Sequence, residues 1–158
     1  LYAGLMLTAD GPKLIEYNVR FGDPETQVLM MRLDSDLLPL LLAAATGSLA
    51  GAQPKWSSDA ALTVVMAARG YPVAYAQGSP IGGVARANAL PGVKVFHAVT
   101  ARSGATLVSA GGRVLDVTAR AATIREAQMR AYDAVAHIDW PDGVFRRDIG
   151  RRAVISRG

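Results

Sequence analysis

The stretch LYAGLMLTADGPKLIEYNVRFGDPETQ, residues 1–27, decides how the rest of this 158-residue chain is read. Two apolar runs, LYAGLMLT (1–8) and PKLIEYNV (12–19), are joined by Ala9-Asp10-Gly11. Asp-Gly between apolar runs is a tight-turn signal, so the spacing predicts a β-hairpin. Side chains alternate along a strand, which puts Glu16, Asn18 and Arg20 on one face of the second run and Ile15, Tyr17 and Val19 on the other. A carboxylate, an amide and a guanidinium on one face are either solvated or gathered on a ligand, because each needs a partner once removed from water.

Glu16 and Asn18 both offer hard oxygen atoms. Magnesium favours one or two protein oxygens completed by phosphate and water, so such a pair could hold the metal against a nucleotide triphosphate. Arg20 on the same face would add positive charge near a transferring phosphoryl group. From spacing alone, a solvated strand face is the commoner meaning of Glu-x-Asn-x-Arg. Asp23-Pro24-Glu25 reads as the start of a helix, with a capping side chain, a proline in the first turn and an acid at the positive helix end. That helix is expected to run to about Arg32. Ser35 is the expected cap of a second helix ending at Gly47, with Pro39 tolerated in its first turn.

Residues 47–60, GSLAGAQPKWSSDA, are small, polar and turn-rich, which marks a boundary. Beyond it come short β runs, ALTVVMAA, VKVFHAVT, ATLVSAGG and RVLDVTAR, separated by Gly and Pro clusters. A last helix is expected over Ile124 to Ile138, where Ala127, Ala131, Ala134, Val135 and Ile138 recur at helical spacing and Thr123 with Glu126 forms a capping box. His97 reads as a structural residue, and Gly111-Gly112 as a strand turn without the following helix a phosphate loop needs. The expected fold class is α+β: a hairpin and two helices, then a small β-rich domain with one packed helix.

Composition sets the outer limits. The chain is 51% hydrophobic and 19% charged, as in a globular protein with a core. Its longest apolar run, around Leu37 to Ala45, is too short to span a bilayer, no secretory signal is visible, and the absence of cysteine excludes disulfides and thiolate sites. A cytoplasmic location with no membrane partner is therefore expected. The 17 basic residues outnumber the 13 acidic ones, and Arg146, Arg147, Arg151, Arg152 and Arg157 crowd the end of the chain. No aromatic interleaving accompanies them, so a solvated tail is favoured and no nucleic-acid partner is expected. Leu1 in place of Met, inside an apolar run, looks like a cut from something longer.

The wording of IEYNVRFGDPETQ closely resembles the signature of the glycinamide ribonucleotide synthetase family of ATP-grasp ligases. VVMAARGYPVAY, VKVFHAVT, GGRVLDVTA, EAQMRAY and RRDIGRRA follow in family order, so the resemblance runs from Leu1 to about Val154. It implies that residues 1–50 end an ATP-grasp domain, that 51–60 are a linker and that 61–158 form the C-terminal β-rich domain. It also implies ATP as co-substrate, Mg2+ or Mn2+ as cofactor, and Glu16 and Asn18 as metal ligands. Arg20 and Asp23 would be catalytic, and Arg20, Gly22, Asp23 and Glu25 would bind substrate and phosphate. The implied reaction joins glycine to 5-phosphoribosylamine through glycyl phosphate. The chain departs from the family pattern at Arg69, Val73 and Val99, where glycines are expected. The lysines, the glycine-rich flap and an earlier acidic ligand would come from a missing N-terminal part, without which this chain is expected to be inactive. Two other readings compete: a non-catalytic basic binding module, and a different ATP-grasp carboxylate–amine ligase.

Overall fold

A computed structural model describes residues 1–155. Arg157 lies outside the described residues. The expected hairpin forms from β1 (Tyr2–Thr8) and β2 (Gly11–Asn18), paired antiparallel from Tyr2↔Asn18 to Thr8↔Gly11. Ala9 and Asp10 make the loop, and Gly11 opens β2 with φ +100°, a backbone angle that costs glycine little. A register shift between Gly4 and Leu5 interrupts the ladder opposite Ile15.

Two helices follow, α1 (Glu25–Arg32) and α2 (Leu37–Ala45). Their starts differ from expectation. Asp23 does not cap α1, whose cap position is Pro24 and has no side-chain cap bond; the Asp23 carboxylate is drawn to Arg113 instead, at 3.1 Å. At α2 the cap is Asp36, which accepts from the Leu38 N–H at 3.0 Å, while the Ser35 hydroxyl accepts from Lys55 N–H. Pro39 does lie in the first turn. The region after α2 returns to α1: Asp34 N–H donates to Lys55 O and Ser57 N–H to Arg32 O, at 2.9 and 2.8 Å.

The C-terminal half is organised by one four-stranded sheet of β3 (Ala60–Ala68), β4 (Val93–His97), β7 (Arg113–Ala121) and β8 (Gly143–Val144). Its order is β4-β7-β3-β8, with every neighbouring pair antiparallel. The run VKVFHAVT divides, because the chain leaves the sheet after His97 and begins a separate hairpin of β5 (Thr100–Ser103) and β6 (Thr106–Ser109). A five-residue helix, α3 (Val84–Asn88), precedes β4, and Asn88 fixes it there by accepting the Val95 N–H at 2.7 Å. The long helix α4 (Ile124–Ala136) starts with the expected capping box and stops two residues before Ile138. A short α5 (Arg151–Ile155) closes the described chain.

The sheet has two unlike faces. Leu62, Val64, Met66, Leu115 and Val117 are buried with Ala127, Ala131, Ala134 and Val135 of α4 in the main apolar core. The opposite face carries polar groups of β3 and β7 and is covered by α1. There Thr63 and Thr118 hydroxyls meet at 2.8 Å, and Arg120 donates to the Met31 carbonyl at 3.0 Å. Near the basic end of the chain, Asp148 holds Arg146 at 2.8 Å and Arg147 stacks over Phe145. Among the described residues no helix is long and apolar enough to cross a membrane.

Candidate active site

The candidate site is built on the end of β2 and the turn after it. Asn18 Nδ2 donates to Glu16 Oε1 at 3.0 Å, so the two expected ligands are side by side. That bond uses one amide hydrogen and one carboxylate oxygen. It leaves Asn18 Oδ1 and Glu16 Oε2 without protein partners among the described residues, two hard oxygens on one exposed strand face. This donor set suits a divalent cation completed by phosphate and water. Among the described residues no group of three or more His, Cys, Asp and Glu could hold a metal ion by itself.

Arg20 stands apart from the pair. β2 ends at Asn18, and the Arg20 guanidinium donates through Nη1 to the Phe21 carbonyl at 2.8 Å, leaving the rest of the fork in solvent. The chain then turns sharply at buried Gly22. A Cβ there would lie 2.3 Å from Glu25 Oε2, so glycine lets the Glu25 side chain fold over the turn. Glu25 Oε1 accepts the Tyr2 hydroxyl at 3.0 Å, and this bond raises the Tyr2 pKa above its ordinary value. Gly22 O also accepts the Thr26 N–H at 3.0 Å.

Asp23 is committed elsewhere. Arg113 of β7 reaches it twice, through Nη2 to Oδ2 at 3.1 Å and through Nη1 to the Asp23 carbonyl at 3.0 Å. The structure therefore joins Glu16 with Asn18 and holds Gly22, Asp23 and Glu25 in one tight turn. It does not place Arg20 in contact with either group. Arg113, Gln27 and Asp116 belong to the same neighbourhood and were not identified from sequence. Gln27 closes the signature stretch IEYNVRFGDPETQ, and Asp116 shows in the sequence as an aspartate in the middle of the apolar run RVLDVTAR. His97, by contrast, is exposed and bonds Thr100 Oγ1 at 3.0 Å, as a structural residue does. Gly111 and Gly112 are buried close-approach positions, where a Cβ would meet Val99 and the Tyr71 ring.

Residues 61–152 match the family model described as phosphoribosylglycinamide synthetase, C domain. The chain belongs to this family. Residues 1–26 match the ATP-grasp (A) domain of the same synthetase. The chain is 61% identical over 153 residues to the phosphoribosylamine–glycine ligase of Rhizobium meliloti, covering 97% of this chain and 36% of that protein. It is 64% identical over 154 residues to the ligase of the same name from Mesorhizobium japonicum, covering 98% and 36%. The chloroplastic ligase of Arabidopsis thaliana is 56% identical over 158 residues, covering 98% and 30%. The crystal structure of phosphoribosylamine–glycine ligase from Thermotoga maritima superposes with a TM-score of 0.71 at 33% identity, over 92% of this chain and 35% of that one. The chain thus spans about a third of the length of the curated relatives it matches. The α+β architecture read from the sequence is that of the phosphoribosylglycinamide synthetase family.

Proposed function

We propose that this chain is the C-terminal part of an ATP-dependent ligase that joins glycine to 5-phosphoribosylamine. The reading rests on one observation: Glu16 and Asn18 present paired oxygens at the end of β2, just before the Gly22 turn in the chain, in a chain 61% identical to a protein named for that reaction. In the reaction, a glycine carboxylate oxygen attacks the γ-phosphorus of ATP, giving glycyl phosphate and ADP. The amine of phosphoribosylamine then attacks the acyl carbon, phosphate leaves with the bonding electrons, and the amine gives up a proton to yield the amide.

Glu16 Oε2 and Asn18 Oδ1 would hold Mg2+, or Mn2+ in its place, which supplies charge neutralisation at the phosphates. The free edge of Arg20 would bind the transferring phosphoryl group, where a planar fork offers paired donors. Gly22, Asp23 and Glu25 would line the phosphate and amino-acid end of the cleft, kept in place by Arg113 and Tyr2. Residues 1–50 would close the ATP-grasp domain and 61–158 form the C-terminal domain, with 51–60 between them; the two family matches on either side support this division. One strand cannot orient a triphosphate, so the opposing cations and flap would come from the other two-thirds of the protein. A cytoplasmic location belongs to the same reading.

The test is a chimaera in which this chain replaces the corresponding third of the Rhizobium meliloti relative. Glycine-dependent phosphate release from ATP, at rates within tenfold of the relative, is expected. Glu16→Gln and Asn18→Ala should each remove it without loss of folding, and Arg20→Lys should still impair turnover. Full activity in all three variants at limiting magnesium would refute the assignment. A folded chimaera that hydrolyses ATP only with a different amine or acid would point to another carboxylate–amine ligase.

A further inference from the structure

Gln27, the last residue of the RFGDPETQ motif, lies on α1 and faces β7 across 89 residues of chain. Its Nε2 donates to Asp116 Oδ2 at 2.6 Å and reaches Asp23 Oδ1 at 3.5 Å. Asp116 is wholly buried, and its second oxygen, Oδ1, has no hydrogen-bond partner. The Gln27 carbonyl oxygen, Oε1, is also buried and also without a partner. No cation is available to Asp116 alone, since Arg113 is spent on the Asp23 carboxylate and carbonyl. The cross-strand neighbours of Asp116 are Phe96 on β4 and Val65 on β3, neither of which titrates. Asp23 from the turn and Arg113 from β7 are therefore the charged groups that act on it.

A buried ionised carboxylate with one donor is poorly satisfied, and so is an amide carbonyl with none. A carboxylic acid and a primary amide complement each other along both edges, one N–H to the acid carbonyl and one O–H to the amide carbonyl. We propose that Asp116 and Gln27 form an acid–amide lock, closed when Asp116 Oδ1 carries a proton, that fixes the turn from Gly22 to Gln27 on the polar face of the C-terminal sheet. Both are positioning residues: they act through the turn that bears Asp23 and Glu25. What that turn does rests on the ligase reading, whereas the lock itself does not.

The electrostatics agree. Burial first, and the Asp23 charge second, push the Asp116 carboxyl up to about 6, against the lowering pulls of the Gln27 bond and Arg113. Since the folded pKa lies above the unfolded one, the stabilisation is complete at low pH. It is lost as pH rises from about 4 through about 6.

The experiment uses the 158-residue chain with no ATP or glycine, so its outcome is independent of the ligase reading. Carbonyl NMR should give Asp116 a titration midpoint near 6, and the Gln27 side-chain amide should shift with the same midpoint; an Asp116 midpoint near the ordinary ~4 overturns the proposal. Thermal melts across the same pH range provide the second readout. Asp116→Asn imitates the neutral acid, so it should match the parent at low pH and exceed it above the midpoint. Gln27→Glu places two carboxylates together and should lower the melting temperature most at neutral pH. Adding Asp116→Asn to Gln27→Glu exchanges the roles of acid and amide and should recover most of that loss. Parallel melting curves for parent and Asp116→Asn, or a double variant no better than Gln27→Glu, would show that no such pair exists.

Discussion

The N-terminal hairpin and the C-terminal sheet are written in the same apolar alphabet and have opposite fates. In β1 and β2 the apolar side chains remain in solvent, with Leu7 81% exposed and Val19, just past the strand, 96% exposed. In β3 and β7, Val64 and Val117 are completely buried. The difference is not one of propensity, since both regions form regular antiparallel ladders. It is one of cover. α4 closes one face of the C-terminal sheet and α1 the other. The apolar side chains of the hairpin have no such cover among the described residues, and β1 meets α1 through the Tyr2–Glu25 hydrogen bond. A strand pattern therefore specifies pairing, and only a second layer turns pairing into burial.

That comparison can be broken most forcefully in the covered sheet. Leu115→Ala, at a fully buried position, should cost about 2–5 kcal/mol in urea unfolding, because the α4-covered core cannot collapse around the lost volume. In the chimaera, Glu16→Gln should lower turnover at least a hundredfold, about 2.7 kcal/mol of transition-state stabilisation, while leaving its melting temperature within a degree or two. This would show that Glu16 acts in the chemistry and carries little of the stability.

Smaller effects sharpen the same contrast. Gly22→Ala forces the Glu25 side chain off the turn and breaks its bond to Tyr2, and should lower the urea midpoint by less than Leu115→Ala does. Thr123→Ala removes the capping box of α4 and should cost ~1 kcal/mol. Leu7→Ala should change stability by less than about 0.5 kcal/mol, since its side chain has little contact to lose. A Leu7 effect as large as that of Leu115 would mean that the hairpin is buried in solution, against a second copy or another partner.

Much of the candidate site was legible because its logic is local. Glu16 and Asn18 are two residues apart on a strand, and strand periodicity alone brings them together. Gly22 and Glu25 lie within one turn, so the need for a glycine follows from neighbours three residues apart. Arg20 escapes strand periodicity: the strand ends before it, and its guanidinium turns to the Phe21 carbonyl instead of joining Glu16. Asp23 was legible as a helix-start residue, yet Arg113, ninety positions away, offers it a stronger charge-assisted partner than the helix N–H groups.

By itself the sequence determined the hairpin, the Glu16–Asn18 pair, the tight turn after it, and the Thr123–Glu126 box that starts α4. Each depends on backbone angles and side-chain reach within a few residues, which composition and spacing encode directly. Only the tertiary structure decided which apolar strands are buried, that α1 lies on the polar face of the C-terminal sheet, and that Asp116 meets Gln27. Those outcomes depend on which surfaces exclude water from each other. Residues 89 apart in the chain share no period that could announce the contact.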